Sequence, residues 1–228
     1  MNFLYICVFN RFALIHMASF IDIHTHHNDT KHPFSIIQKD VEFFANNVQQ
    51  ESEKFYSVGI HPWNVHKTDS SIFESFEKIA AIKNIIAIGE CGLDKNSTAT
   101  IKEQDYFFER QIIISESVKK PVIIHCVAAF NEIIQLRKKL KPTQNWVIHG
   151  FRGKPQLAQQ LLDAGFALSF GEKFNPDSVK ITPADKLCIE TDESLLPISE
   201  IYRNIARVKN CLPEELNAAC RLLKQYVC

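Results

Sequence analysis

Phe20-Ile21-Asp22-Ile23-His24-Thr25-His26 is the stretch on which the reading of this chain turns. An apolar run closing on two histidines one residue apart reads as a short strand whose last two inward positions are both imidazoles, because side chains at i and i+2 share a face. Burying two imidazoles side by side costs free energy unless each finds a hydrogen bond or a metal. The plain alternative is a satisfied core histidine beside a surface one. How the other strand-like runs end decides between the two.

Working outward, four more apolar runs finish on groups of the same kind. Ile85-Ile86-Ala87-Ile88-Gly89 stops at Glu90, Val122-Ile123-Ile124 runs into His125, Trp146-Val147-Ile148 into His149, and Leu187-Cys188-Ile189-Glu190-Thr191 leads to Asp192. Phe55 to Gly59 and Phe166 to Phe170 read as two further strands. Amphipathic stripes lie between the runs. Ile37, Val41, Phe44 and Val48 predict a helix after the first strand. Ser70 or Ser71 caps a helix carrying Phe73, Phe76 and Ile79, a third helix covers Ile101 to Val118, and another runs from Phe130 to Leu140 into a basic turn. Leu157, Leu161 and Leu162 mark a helix closed by Gly165, and the last tail helix starts at Pro213-Glu214-Glu215. Continuous apolar strands alternating with helices indicate a parallel sheet covered on both faces. About seven such units are legible, enough for a barrel with one weak strand.

Composition excludes little but bounds the partners. The formal net charge is +0, so no overall positive field draws a long polyanion nonspecifically. The 7 cysteines form no Cys-x-x-Cys pair and several sit inside apolar segments, which points to reduced thiols in a cytoplasmic protein. Met1 to Ile15 is apolar, too short to span a bilayer, and has no basic residue before Arg11. Met17 reads as the natural start, with residues 1–16 a non-native extension or a peripheral helix and residues 17–228 a single barrel domain. No membrane contact and no obligatory protein partner are expected.

In a parallel barrel all strand C-termini open on one face, so His24, His26, Glu90, His125, His149 and Asp192 converge there. Four imidazoles and two carboxylates exceed the ligand set of a usual mononuclear catalytic zinc site. They suit two divalent ions bridged by a carboxylate, for which Glu90 is the natural choice. Zn and Mn fit the mixed nitrogen and oxygen donors, and Mg is the less usual option. The chemistry implied is hydrolysis: divalent ions acidify water, and Asp192 takes its proton.

The ordered segments Ile21-Asp22-Ile23-His24-Thr25-His26, Val58-Gly59-Ile60-His61-Pro62, Ile88-Gly89-Glu90-Cys91-Gly92-Leu93-Asp94, Pro121 to His125, Val147-Ile148-His149-Gly150-Phe151 and Ile189 to Asp192 resemble those of the TatD-type metal-dependent hydrolases, which include metal-dependent deoxyribonucleases. The resemblance implies an irregular (β/α)8 barrel of the TIM type with two metals. One ion is held by His24, His26 and Asp192, the other by His125 and His149, and Glu90 bridges them. It gives Glu90 and Asp192 the catalytic roles and places His61 against the scissile phosphate of DNA or a small phosphodiester.

Two departures stand out. Cys126-Val127-Ala128-Ala129 follows His125 where a basic residue is common, and Glu193-Ser194 follows Asp192 in place of Ala-Pro. Losing a cation and gaining a carboxylate weakens phosphate binding. Arg152 and Lys154 are the compensating cations, with Arg152 a substrate contact. His16, His27, His32 and His66 read as surface or loop groups and Asp94 as an organiser of the loop after Glu90. Trp63 is either a rim contact for a base or a packing residue. The rival readings are an amide or lactone hydrolase of a related barrel, a phosphomonoesterase, and a metal-binding barrel without turnover. Against the first, many amidohydrolases bridge their metals with a carboxylated lysine at a strand end, and none of the seven strands legible in the sequence ends in lysine.

Overall fold

A computed structural model of the chain describes residues 20–28, 30, 32, 34–46 and 54–218. The extension expected at residues 1–16, and the tail helix beyond Ala218, lie outside them. Eight strands form one parallel sheet in chain order: β1 (Asp22–Thr25), β2 (Ser35–Asp40), β3 (Phe55–Gly59), β4 (Ile85–Asp94), β5 (Val122–Val127), β6 (Trp146–Ile148), β7 (Ala167–Phe170) and β8 (Leu187–Ile189). The helices that follow the strands from β2 on are α1 (Val41–Asn46), α2 (Ile72–Ala80), α3 (Ile101–Val118), α4 (Phe130–Leu140), α5 (Pro155–Asp163), α6 (Pro176–Ile181) and α7 (Ile198–Lys209). The expected irregular (β/α)8 barrel is the observed fold.

Among the described residues the backbone ladder that closes the barrel lies at its mouth. β1 and β8 share one bridge, Thr25 with Asp192, made by Asp192 N–H to His24 O at 2.9 Å and His26 N–H to Asp192 O at 3.1 Å. Below it, the Asp22 carboxylate spans the seam, accepting from Thr191 N at 2.9 Å and from Thr191 Oγ1 at 2.6 Å. The hydrogen bonds that close the cylinder are therefore the ones that fix His24, His26 and Asp192 relative to one another.

Two apolar layers follow from strand alternation. Ile23, Ile36, Ile86, Ile123, Val147, Ala167 and Cys188 fill the interior, while Ile124, Trp146, Ile148, Leu168 and Ile189 pack outward against the helices. α2 buries Phe73, Phe76 and Ile79 as its stripe predicts, but its start is stabilised differently. Ser71 makes no side-chain cap bond, and Asp69 Oδ1 instead accepts from Ser71 N at 2.8 Å. α3 begins with a reciprocal cap: Glu103 N–H donates to Thr100 Oγ1 at 3.3 Å and Thr100 N–H to Glu103 Oε2 at 2.7 Å, an arrangement worth ~1 kcal/mol.

The sequence expectation fails at two elements. Residues 35–40 are a strand, not the start of a helix. The helical stripe drawn from Ile37 to Phe44 crosses a strand-helix junction: Ile36 and Ile37 are buried by β2, Val41 and Phe44 by the short helix that follows. Nor does β4 stop at Glu90; it continues to Asp94. Its ladder with β5 shifts register between Ile88 and Cys91, the Gly89–Glu90 peptide is cis, and the backbone passes β5 closely on both sides. A Cβ at Gly89 would lie 2.4 Å from Ile123 O and one at Gly92 2.1 Å from His125 O, both at φ values that L side chains rarely adopt, so glycine is required there.

Candidate metal centre

Two residues beyond the interior apolar layer, the same inward faces become polar. Val147 is followed by His149, Ile123 by His125, Ala167 by Ser169 and Cys188 by Glu190, and each of these four strands thus lifts one polar side chain into the mouth. β1 and β4 reach the same level by irregularity. The β1 ladder shifts register between Asp22 and Thr25, so Ile23 joins the inner layer while His24, one residue on, also meets the centre. His26 lies just past the end of β1 rather than on its inward face.

Glu90, 4% exposed, is the hub. Its Oε1 lies 2.8 Å from His125 Nδ1, 2.8 Å from His149 Nε2 and 3.3 Å from His61 Nε2. Its Oε2 lies 3.4 Å from both His24 Nε2 and His26 Nε2. Asp192 Oδ1 sits across from the latter pair, 3.8 Å from His24 Nε2 and 3.6 Å from His26 Nε2. Three donor triads are close enough to hold an ion: His24, His26 and Glu90; His24, His149 and Asp192; and His61, Glu90 and His125.

The donor set fits divalent cations on an observation independent of sequence. The His24 ring is 0% exposed, yet neither of its nitrogens makes a hydrogen bond. An imidazole buried without partners is expensive. The donors facing its Nε2 stand at the separation of two ligands that each lie about 2.0–2.2 Å from a common ion.

The charges oppose one another across the mouth. Burial by itself raises the Glu90 carboxyl, but the His149 charge and the imidazole hydrogen bonds outweigh it and hold Glu90 well below the usual carboxylate range. Burial likewise lowers His149, and Glu90 and Glu190 together overcome it and raise it well above an ordinary imidazole. Asp192 is raised, chiefly by burial and then by Glu190. His26 is raised, first by its hydrogen bond to Glu90. A centre this rich in opposed titratable groups has the character of a functional site.

A second layer holds the first. Asp94 Oδ2 lies 3.0 Å from His125 Nε2, fixing which edge of that ring faces Glu90, and accepts from Trp63 Nε1 at 2.7 Å. Asp94 itself is held by Gln104 of α3, whose Oε1 accepts from Asp94 N at 2.7 Å and whose Nε2 donates to Asp94 O at 3.0 Å. Two turns further along the same face, Gln111 grips the residue before His61: its Oε1 accepts from Ile60 N at 2.8 Å and its Nε2 donates to Ile60 O at 3.1 Å. Both glutamines are 1% exposed.

His24, His26, Glu90, His125, His149 and Asp192 are thus brought together, and His61 joins them. Arg152 is not in the cluster. It lines an adjoining cleft of about 470 Å³ with Asp192, Glu190, Lys173, Glu193 and Ser194, so the two cations there share the space with carboxylates. Lys154 instead precedes α5 as its N-cap residue. His27 Nε2 lies 3.0 Å from Ser194 O, and His66 Nδ1 lies 3.3 Å from Thr98 Oγ1. The strand that sequence reading missed also bears on the lysine argument, since Lys39 is the penultimate residue of β2. Its ammonium lies 5.2 Å over the Phe43 ring and donates to Asn28 Oδ1, away from the Glu90 cluster.

Sequence reasoning stepped over Glu190. It is 0% exposed, accepts from Gly150 N and has Oε1 3.5 Å from His149 Nδ1. Its signal was present, since Glu190 stands two residues past the inward Cys188, as His149 does past Val147. Asp22, pushed up to about 7 mainly by burial, was likewise read only as part of a motif.

The family model of the TatD related DNases matches residues 36–223. An uncharacterised metal-dependent hydrolase from Buchnera aphidicola (subsp. Acyrthosiphon pisum) is 33% identical over 157 residues, 62% of this chain and 60% of that protein. Another from Buchnera aphidicola (subsp. Baizongia pistaciae) is 31% identical over 182 residues, 69% of this chain and 68% of that protein. The 3'-5' ssDNA/RNA exonuclease TatD of Citrobacter rodentium is 30% identical over 61% of this chain and 57% of its own length. The chain spans about 60% of the length of the first of these relatives. Among solved structures, the TatD homologue YJJV of Escherichia coli K12 superposes with a TM-score of 0.77 at 18% identity, covering 92% of this chain and 97% of that one. A dihydroorotase superposes with a TM-score of 0.60 at 13% identity over 92% and 70%. At these identities both show the fold alone. No helix among the described residues is long and apolar enough to cross a membrane.

Proposed function

Because the chain belongs to the TatD related DNase family, we propose that it hydrolyses phosphodiester bonds in nucleic acid, at a centre of two divalent ions held by His24, His26, Glu90, His125, His149 and Asp192. The observation that carries this reading is the Glu90 carboxylate, whose two oxygens face separate sets of imidazoles: Oε2 meets His24 and His26, Oε1 meets His125 and His149. A carboxylate so placed suits a bridge between two ions. Zn, Mn and Mg are the ions to test, the nitrogen-rich set favouring the first two. Bound divalent ions supply Lewis acidity, neutralising charge on a phosphoryl oxygen and making water more acidic.

The chain's own groups do the rest. Asp192, partly buried at the mouth and raised chiefly by that burial, takes the proton of the attacking water. His61, with its Nε2 turned to the centre, meets the phosphate from the β3 side, and Arg152 from the β6 side. A formal net charge of +0 and the carboxylates of the adjoining cleft favour a strand end or a short oligonucleotide over a long duplex held by its backbone. Cys91, Cys126 and Cys211 stand as thiols among the described residues, which suits the reducing cytoplasm.

The test is a chelator-stripped protein reloaded with Zn, Mn or Mg and given end-labelled single-stranded DNA. Metal-dependent trimming from one end supports the reading. Inactivity on DNA with turnover of an amide or lactone would move the chain to the rival hydrolase class, and uptake of ions without turnover of either would leave a binding barrel.

A further inference from the structure

We infer that Trp63 is a stacking platform for a nucleobase next to the scissile phosphate, oriented by Asp94; this deepens, and rests on, the nucleic-acid reading above. Trp63 is 55% exposed, yet it is tethered at both ends. Its indole N–H donates to Asp94 Oδ2 at 2.7 Å, and its backbone N–H donates to His61 Nδ1 at 3.1 Å. The loop beneath it is held too, by Gln111 at Ile60 and by Ser97 Oγ donating to Pro62 O at 2.9 Å. The indole stands 5.2 Å from the His61 ring at 85° and 6.3 Å from the His125 ring at 69°, so neither imidazole covers it by stacking.

A large aromatic whose polar edge is satisfied and whose body stays in water gains little for folding by being there. Such a ring presents a rigid apolar face at no further ordering cost when a planar ligand lands on it. Its distance from His61 and His125 sets that face beside the ion centre, where the base flanking a bound phosphate would lie. Stacking of this kind is sequence-tolerant, since every base has a π-face. Asp94 is the positioning residue: one carboxylate oxygen holds the indole of the platform and faces the ring of His125.

The chain has 2 tryptophans, and the other, Trp146, is 0% exposed, so quenching by a soluble nucleotide reports on Trp63. Zinc-loaded protein is titrated with dAMP and, separately, with deoxyribose 5-phosphate. dAMP should quench the wild type and leave Trp63→Phe unaffected, while the sugar phosphate quenches neither. In steady-state assays Trp63→Ala should raise KM about tenfold for a single-stranded oligonucleotide and leave KM unchanged for the same backbone with abasic ends, with Trp63→Phe, which keeps a ring but loses the Asp94 tether, between Trp63→Ala and wild type on the first and unchanged on the second. Equal quenching by the sugar phosphate, absence of quenching by dAMP, or an equal KM rise on both substrates would overturn the platform. Should Trp63→Ala not fold, the two titrations decide. Cleavage of DNA without dAMP quenching removes the platform and leaves the hydrolase reading intact. Quenching without any cleavage keeps the platform and removes that reading.

Discussion

Gln111→Met separates the hydrogen bonds of the α3 splint from its bulk. Methionine matches glutamine in length and flexibility, so it fills the same space while leaving Ile60 N–H and C=O without the partners they have at 2.8 and 3.1 Å. A buried polar group left unpaired costs ~1–3 kcal/mol. Ile60 is only 4% exposed, which restricts repair by water, and two such groups give a loss of ~2–6 kcal/mol. For a chain of this size that is a fall of roughly 4–24 °C in Tm. Gln111→Ala should lose more, because a cavity is added to the same two orphaned groups. Urea titrations followed by far-UV circular dichroism give both values on metal-free protein. The same variants relax the loop that sets His61 Nε2 3.3 Å from Glu90 Oε1, so hydrolysis by the ion-loaded protein should fall at temperatures well below the transition. A Gln111→Met protein within ~0.5 kcal/mol of wild type would refute the view that this contact holds the loop.

Glu90→Ala should abolish turnover and lower ion uptake in equilibrium dialysis; wild-type rates in that variant would remove Glu90 from the mechanism. Gly92→Ala should be poorly folded or destabilised by more than ~3 kcal/mol, since its Cβ would meet His125 O at 2.1 Å, and a soluble variant with unchanged Tm would contradict the close β4–β5 approach. Lys120 is buried, donates to Ala80 O and Ile82 O, and is lowered to about 8 by that burial. Between that value and its unfolded value of 10.5 the unfolded chain binds the extra proton, so stability rises with pH. Relative to Lys120→Met, the wild type should gain about 2 kcal/mol between about pH 8 and about pH 10, read from urea midpoints, and a flat difference would contradict the burial penalty. Thr100→Ala should cost ~1 kcal/mol and fray the start of α3, visible as faster amide exchange there.

Much of this was legible in the chain because the signals are local. An apolar run ending on His125 or His149 reads as a strand with a polar inward tip from the period of two alone. The stripes of α2 and α3 follow from the period of the helix. β2 was not legible, because Ile37, Val41 and Phe44 satisfy a helical spacing by accident across the strand-helix junction. Glu190 was passed over because Asp192, two residues further along the same extended run, shares its alternation and drew the assignment, although Glu190 stands past Cys188 as His149 does past Val147. Lys39 shows the opposite case: a strand-end lysine, the feature the rival class would need, points away onto Phe43.

From residue order alone came the barrel class, the six converging side chains and the hydrolytic reading, since strand polarity and alternation are encoded within a few neighbouring positions. Only the tertiary structure decided how the barrel shuts on the His24–Asp192 hydrogen bonds and how the β4 irregularity turns Glu90 to face imidazoles from four other strands or their loops. Only it decided that α3 splints His61 and Asp94 through two buried glutamines. Those contacts join residues 10 to 168 positions apart, and their geometry depends on how separate strands and helices pack, which no local periodicity records.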